Sequence, residues 1–382
     1  MISVGLKRRA FGFGLALISG AFNLRRRLAK TAGAAVSAPV VLILEPFGMG
    51  DVISLEPLIR NLHERKFEIR LSAQPAWRQL YPEPFVATWI DSQVPWTSYD
   101  STRKYRWSSF WTTSFRNYVI QLRRFGRGAI GIDPRGDLRS ILLLHLAGCR
   151  RILALGSYLG TNLRVPRFSA EVVDYSDNLK RWEVNLLFLA LLGARSSDSP
   201  TPPRFTHLLV PPAIRRMHRV GLIPMAPWSG KLWGGGKWAE LISLLLARGR
   251  EPVGLCGPGQ ASDAAKALGA KVAIEECADI RSWVERVRTC HCVVTVDSGP
   301  MHLADAVGVP VVALFGQGKL PLWAPSGKNN RVLSHQSDPD FFHCYPIEKN
   351  AHWGRKFMDR IAPREALDAV IAVESRSDDP AT

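Results

Sequence analysis

The run 297–316 carries the densest chemical content in this 382-residue chain. It reads Asp297-Ser298-Gly299-Pro300-Met301-His302-Leu303-Ala304-Asp305-Ala306 and, past Val307, Gly308-Val309-Pro310-Val311-Val312-Ala313-Leu314-Phe315-Gly316. A strand ending at Val296 turns tightly at Asp297, and Pro300 suits the first position of a helix, where its missing N–H is no loss. The unpaired backbone N–H groups of such a helix start, reinforced by the helix dipole, make a pocket for phosphate. Ser298 is placed either to cap the helix or to donate to a phosphate oxygen. The plainer alternative is an ordinary capped helix in which Asp297 serves only the turn. A second turn, Phe47-Gly48-Met49-Gly50-Asp51, sets a carboxylate just past a short apolar run. Asp51 there either faces a ligand crevice or caps a helix beginning at Val52.

These turns need strands and helices to position them. In the first half, strands are expected at 40–44, 67–71, 85–90, 129–133 and 151–155, with helices at 52–64, 138–146 and 179–192. Pro57 falls near the first turn of the 52–64 helix, where it is tolerated. Arg195 to Pro212 is rich in Pro and Ser and reads as a boundary. Beyond it, strands at 222–226, 253–256, 271–274, 292–296, 310–314 and 331–333 alternate with helices at 237–247, 262–268, 280–288, 301–306 and 363–373. Strand–helix alternation implies parallel sheets covered on both faces. The chain therefore divides into a leader, 1–38, a domain 39–195, a linker 196–213 and a second domain 214–382. The fold class is α/β: two doubly wound, Rossmann-like domains facing a central cleft, without a sequence-level repeat. That arrangement resembles GT-B glycosyltransferases.

The residues themselves resemble one family. The 297–316 run is similar to the nucleotide-binding block of glycosyltransferase family 9, the ADP-heptose:lipopolysaccharide heptosyltransferases. The resemblance extends over about residues 39 to 375, through Gly50-Asp51-Val52 with Pro57-Leu58-Ile59-Arg60, Lys231-x-Trp233 with Trp238, and Gly254-Leu255-Cys256-Gly257-Pro258. It implies an inverting transfer of a sugar, heptose from ADP-heptose, to a lipid-linked, phosphorylated saccharide of the lipopolysaccharide core or a related glycan. The first domain would hold the acceptor and the second the nucleotide sugar. Asp51 matches the family's proposed general base, which takes the proton of the acceptor hydroxyl. Lys231 matches its phosphate-contacting lysine, with Lys237 as competitor because Gly234-Gly235-Gly236 departs from the usual spacer. Asp297, Ser298, Gly299, Pro300, Met301 and His302 would surround the donor diphosphate, His302 being read first as a structural helix residue. Glu275 or Glu276 would accept from the nucleotide ribose. No metal and no cofactor is expected, since lysine and helix-end amides can neutralise the phosphates and there is no Asp-x-Asp motif. The family's Phe-Gly-Pro-Thr stands here as Phe315-Gly316-Gln317-Gly318.

Charge bears on the acceptor. With 50 Lys and Arg against 33 Asp and Glu, the net charge is +17. Seven basic residues and no acid precede Glu45, and seven more, again without an acid, lie within 101–128. These two stretches carry nearly all the excess. Such patches bind polyanions: nucleic acid, anionic lipid or a phosphorylated substrate. The leader sets an apolar segment, 10–22, between basic clusters, which suits a segment lying on a membrane surface, a disordered tail or a targeting sequence. Within 95–128, aromatic residues interleave with Arg103, Lys104, Arg106, Arg123 and Arg124, as at a headgroup-level membrane contact or a site for a phosphorylated glycolipid. The alternative is a helical hairpin whose aromatics pack inward. No apolar run is long enough to span a bilayer, and six scattered cysteines suit reduced thiols rather than a disulfide framework. The expected location is cytoplasmic, peripheral on the inner face of the inner membrane. A catalytically idle nucleotide-sugar binder is the alternative function. A nucleic-acid binder accounts for the charge and leaves the 297–316 run unexplained, so no nucleic-acid partner is expected.

Overall fold

The apolar run Val40–Leu44 forms a strand (β1) whose residues are almost all buried, as a parallel strand covered by helices on both faces must be. The structure, a computed structural model, describes residues 39–96, 112–159, 163–194, 200–209, 216–341 and 351–377. The leader 1–38 and the patch residues Arg103, Lys104 and Arg106 lie outside the described residues. After β1 come α1 (Met49–Ile53), α2 (Glu56–Glu64), β2 (Glu68–Ala73), β3 (Thr88–Asp91), α3 (Thr113–Gly126), β4 (Ile130–Asp133) and α4 (Leu138–Leu146). The first unit closes with β5 (Arg151–Leu155), β6 (Glu171–Val173), α5 (Arg181–Leu186) and α6 (Phe188–Leu191). Its six strands are parallel in the order β3-β2-β1-β4-β5-β6. The winding direction reverses between β1 and β4, which opens a crevice at their C-terminal ends.

Two local differences from expectation matter. The single helix expected at 52–64 is two helices broken at Ser54 and Leu55. Pro57 has no N–H to continue the first helix, so it begins a new one. The Ser54 N–H bonds back to the Gly50 carbonyl at 3.1 Å, which closes α1 early and seats Asp51 in a single short turn. The second difference is α3, whose acid-free sequence folds as an amphipathic helix. Thr112 caps it, accepting from the Phe115 N–H at 3.2 Å, and Tyr118, Leu122 and Gly126, at four-residue spacing, face the core. The Tyr118 hydroxyl and Ser72 Oγ share a hydrogen bond of 2.8 Å. The described aromatics of this stretch thus pack inward, and its described arginines stay exposed.

The second unit contains β7 (Arg216–Ile223), α7 (Gly235–Ala247), β8 (Glu251–Cys256), α8 (Ala261–Leu268), β9 (Ala273–Glu276), α9 (Ile280–Val287) and β10 (Cys290–Val296). It continues with α10 (Gly299–Ala306), β11 (Val311–Phe315), α11 (Leu320–Trp323), β12 (Arg331–Ser334), α12 (Ala351–Met358) and α13 (Pro363–Ser377). The parallel order β12-β11-β10-β7-β8-β9 repeats the winding of the first unit, with its reversal between β7 and β10. Cys290 and Cys292 are buried within β10 and belong to the core. Trp233 and Trp238, with rings edge-to-face at 5.0 Å, anchor the start of α7 in that core.

The two units divide between Thr201 and Pro202. The stretch expected as a free linker is partly packed: Phe205 is buried, and its N–H donates to the Ala306 carbonyl at 3.3 Å. Among the described residues no helix is long and apolar enough to cross a membrane.

Candidate active site

In the first unit the switch point between β1 and β4 gathers buried charge. Asp51, the third residue of α1, does not cap that helix; Gly48 holds the N-cap position without a side-chain bond. The Asp51 carboxylate is held from the other side of the crevice. Arg135 Nη1, on the turn after β4, donates to Asp51 Oδ1 at 2.7 Å, and Arg181 Nε stands 3.8 Å from the same oxygen. Oδ2 takes part in neither pair. Arg181, itself 2% exposed, also reaches Glu45 Oε2 at 3.1 Å and the Asn185 side chain. Asn185 Nδ2 in turn donates to the Ser54 carbonyl at 2.8 Å and its hydroxyl at 3.0 Å, bracing the end of α1.

The turn carrying Arg135 is rigid for identifiable reasons. Buried Asp133 accepts from the backbone N–H of Arg135 at 3.3 Å and of Asp137 at 2.6 Å. Asp137 caps α4 through the Arg139 N–H at 3.0 Å. Gly136 has φ 71°, and a Cβ there would lie 2.3 Å from the Ser157 carbonyl oxygen, so only glycine fits. The Arg135 guanidinium stacks 3.8 Å from the centre of the Phe47 ring. Arg135, Arg181 and Glu45 carry the electrostatics of this site, and sequence reading missed them. The Asp133-Pro-Arg135-Gly-Asp137 turn did offer a signal, since it follows a buried strand as Asp51 does. Arg181, inside a helical pattern, offered none.

Burial, and next the charge of Asp51, push Glu45 up to about 7. Burial, then Asp137, raise Asp133 well above the usual carboxylate range. The folded chain therefore holds the Glu45 proton where the unfolded chain has released it. Stability falls as pH rises from about 4.5 to about 7, by an amount on the order of 3 kcal/mol from this group, and is flat above. Glu45→Gln is expected to remove that part of the slope. Melting temperatures of both proteins across pH 4.5 to 8 check it; parallel curves would refute the assignment.

In the second unit the switch point between β7 and β10 brings Lys231 to Asp297. Lys231 lies on a 3-10 turn, Ser229–Lys231, after β7, and its Nζ is 2.6 Å from Asp297 Oδ2 and 4.9 Å from the centre of the Trp228 ring. Ser298 occupies the N-cap position of α10, yet its side chain makes no capping bond, and Oγ is buried without a hydrogen-bond partner among the described residues. The capping alternative for Ser298 therefore does not hold. Gly299 and Pro300 open the helix at half-buried positions, whereas the Met301 side chain is in the core and only its backbone faces the turn.

The departure at 315–318 has a physical reason. A Cβ on Gly318 would sit 2.2 Å from Asp297 Oδ2, so the glycine makes room for the Lys231–Asp297 pair. Gln336 Nε2 donates to the Gly316 carbonyl at 2.8 Å and the Gly318 carbonyl at 2.5 Å, fixing this loop. Gln317 is 2% exposed, and neither the oxygen nor the nitrogen of its amide has a partner among the described residues. Helix α12, unforeseen in the sequence, packs Gly354 against the carbonyl of Gly230, one residue before Lys231.

Other expected residues stand apart from this pair. Lys237 Nζ donates to the Ile361 carbonyl at 3.0 Å. Glu275 is ion-paired to Arg219, and Glu276, at the end of β9, accepts from the Gly259 N–H. The His302 ring lies 5.8 Å from that of Trp323, a packing role. Arg123 and Arg124 lie on the last turn of α3, away from Asp51.

Residues 197–349 match glycosyltransferase family 9 (heptosyltransferase). The chain is 29% identical to lipopolysaccharide heptosyltransferase 3 of Escherichia coli, over 38% of this chain and 47% of that protein. It is 26% identical to lipooligosaccharide heptosyltransferase 2 of Haemophilus influenzae, over 39% of this chain and 45% of that protein. The matches thus span less than half of the length of either relative. Among solved structures, E. coli heptosyltransferase WaaC with ADP superposes with a TM-score of 0.66 at 17% identity, covering 87% of this chain and 99% of that one. E. coli ADP-heptose lps heptosyltransferase II gives a TM-score of 0.61 at 18% identity, covering 89% and 99%. At such identities these likenesses establish a shared GT-B fold.

Proposed function

We propose that this chain, a glycosyltransferase family 9, heptosyltransferase-like protein, catalyses an inverting transfer of a sugar from a nucleoside diphosphate. The observation that carries the reading is the Lys231–Asp297 pair beside the unpartnered Ser298 Oγ at the start of α10. A diphosphate fits this turn: helix-end N–H groups and the Ser298 hydroxyl donate to its oxygens, and the remaining Lys231 N–H bonds offset the charge that develops as it leaves. Asp51 takes the acceptor proton. The acceptor oxygen then bonds to the anomeric carbon as the bond from that carbon to the diphosphate oxygen breaks. The electron pair leaves with the diphosphate on the opposite face, which inverts the configuration. No metal is needed in this scheme, because lysine and backbone dipoles carry the neutralisation.

The donor class is proposed by analogy with structural neighbours. WaaC was solved with ADP and with ADP-2-deoxy-2-fluoro heptose, and this chain's donor is accordingly read as an ADP-heptose-like sugar. The acceptor is a lipid-linked, phosphorylated saccharide, reached from the cytoplasmic face of the inner membrane. A thermal-shift panel of ADP, UDP and GDP with the matching nucleotide sugars tests the reading. Stabilisation by ADP and ADP-heptose above the others is expected, a few degrees at saturating ligand. A preference for UDP or GDP would reassign the donor. Stabilisation without transfer or donor hydrolysis would leave an idle nucleotide-sugar binder.

A further inference from the structure

Arg123, Arg124 and Arg127 do not serve the crevice that holds Asp51. Helix α3 runs back against the strand direction, so its last turn lies at the end of the sheet where β4 and β5 begin. Asp51, Asp133 and Arg135 follow strand ends. The length of β4 alone separates the two levels by roughly 10 Å. At the far end the three arginines line a surface cavity of about 730 Å³ together with His145 and the turn 146–148. Arg123 Nε donates to the Leu146 carbonyl at 3.2 Å, tying the last turns of α3 and α4 into one wall. His145 is buried and held at 2.8 Å from the Ser169 carbonyl.

Among the described residues no acid neutralises this cationic wall. Among the described residues none of the three arginines has an ion pair, and no carboxylate lines the cavity. Glu68 is brought to the end of α3 by Arg70, which donates to the Phe125 carbonyl, but Glu68 is already paired with Arg70. The same solvent face of α3 carries Arg116 and, between the charges, Ile120, which is 55% exposed. Positions 116, 120, 123, 124 and 127 share one side of the helix by their three- and four-residue spacing. A large apolar side chain in water, flanked by arginines and, among the described residues of α3, by no acid, matches an anionic lipid surface, where cations bind headgroup phosphates and the apolar residue enters the acyl boundary.

We propose that this face of the first unit is its membrane-docking surface. Arg123, Arg124 and Arg127 bind the phosphates of anionic headgroups at the cavity, and Ile120 inserts beside them. The inference rests on the reading of a membrane-bound acceptor and names the surface that brings the chain to it. The loss of three such arginines corresponds to roughly a hundredfold weaker binding to an anionic surface, a difference that shrinks as salt rises.

The test uses the full chain and sedimentation with two vesicle types, phosphatidylcholine mixed with phosphatidylglycerol and phosphatidylcholine alone. Arg123→Gln/Arg124→Gln/Arg127→Gln is compared with Arg248→Gln/Lys271→Gln/Lys328→Gln, which removes the same charge from exposed positions of the second unit. The expected result is tight binding to mixed vesicles only, lost about a hundredfold in the first variant and within a few-fold of the unaltered chain in the second. Ile120→Ser should weaken binding several-fold and make the remainder more salt-sensitive. Equal losses in both triple variants would reduce the effect to overall charge and overturn the proposal. Undiminished binding by the first variant would place docking elsewhere and overturn it too. Nucleotide stabilisation, measured separately, reports on the glycosyltransferase reading.

Discussion

Asp51→Asn should lower sugar transfer by roughly 10²–10⁴-fold, the usual contribution of a positioned general base, while ADP still stabilises the protein. The substitution keeps the shape and one acceptor oxygen, so it removes basicity and little volume. It also removes the anion from between Arg135, at 2.7 Å, and Arg181, at 3.8 Å. Leaving one buried and one half-buried guanidinium group with less counter-charge costs on the order of 1–3 kcal/mol, which predicts a lower melting temperature for the first unit. Because the turn proposed to hold the diphosphate belongs to the second unit, retained ADP binding reports an intact donor site, and an unchanged circular dichroism spectrum at the assay temperature separates lost chemistry from lost folding of the first unit. Turnover by the Asn variant at the unaltered rate would exclude Asp51 as the base.

Lys231→Ala is expected to reduce kcat/KM by roughly 10²–10³-fold, the scale measured when one donor to a developing oxyanion is removed. Two effects add here. The leaving diphosphate loses a cation, and Asp297, 4% exposed and 2.6 Å from Lys231 Nζ, is left as a buried carboxylate beside an incoming anion. ADP affinity should therefore fall along with turnover, visible as a reduced thermal shift. Lys231→Arg should not restore it fully, since a planar guanidinium does not replace a compact ammonium in a turn built to Gly230 and Gly354. Lys237→Ala should change kcat/KM by only a few-fold, because Lys237 is occupied with the Ile361 carbonyl. A larger loss from Lys237→Ala than from Lys231→Ala would reverse the assignment.

The legible parts of this protein were those written in local pattern. Runs such as 40–44 and 292–296 are strands because a parallel strand is covered on both faces and must be largely apolar on both. Gly299 and Pro300 announce a helix start through backbone geometry alone. Pro57 likewise carries its own message, although it marked a new helix where a continuous one was expected. Partner choice was less accessible. Lys231 is preferred over Lys237 by resemblance, and what separates them lies in the fold: Lys231 sits on a 3-10 turn against Asp297, whereas Lys237 lies inside α7 and donates to the Ile361 carbonyl.

By itself the sequence determined two wound α/β units, the helix-start turn at Asp297–Pro300, and the carboxylate at the end of the first strand. These follow from periodicity and from residues whose backbone preferences act within a few positions. Tertiary structure alone decided that Arg135 and Arg181 clamp Asp51 from segments 84 and 130 positions away in sequence, and that Gly318 yields its space to Asp297. It also decided that the arginines of α3, expected at a membrane contact or a phosphorylated glycolipid, stand at the opposite end of the sheet from Asp51. Strand direction sets which end of a helix lies near a site, and burial sets which charges must find each other. Both are properties of the packed chain.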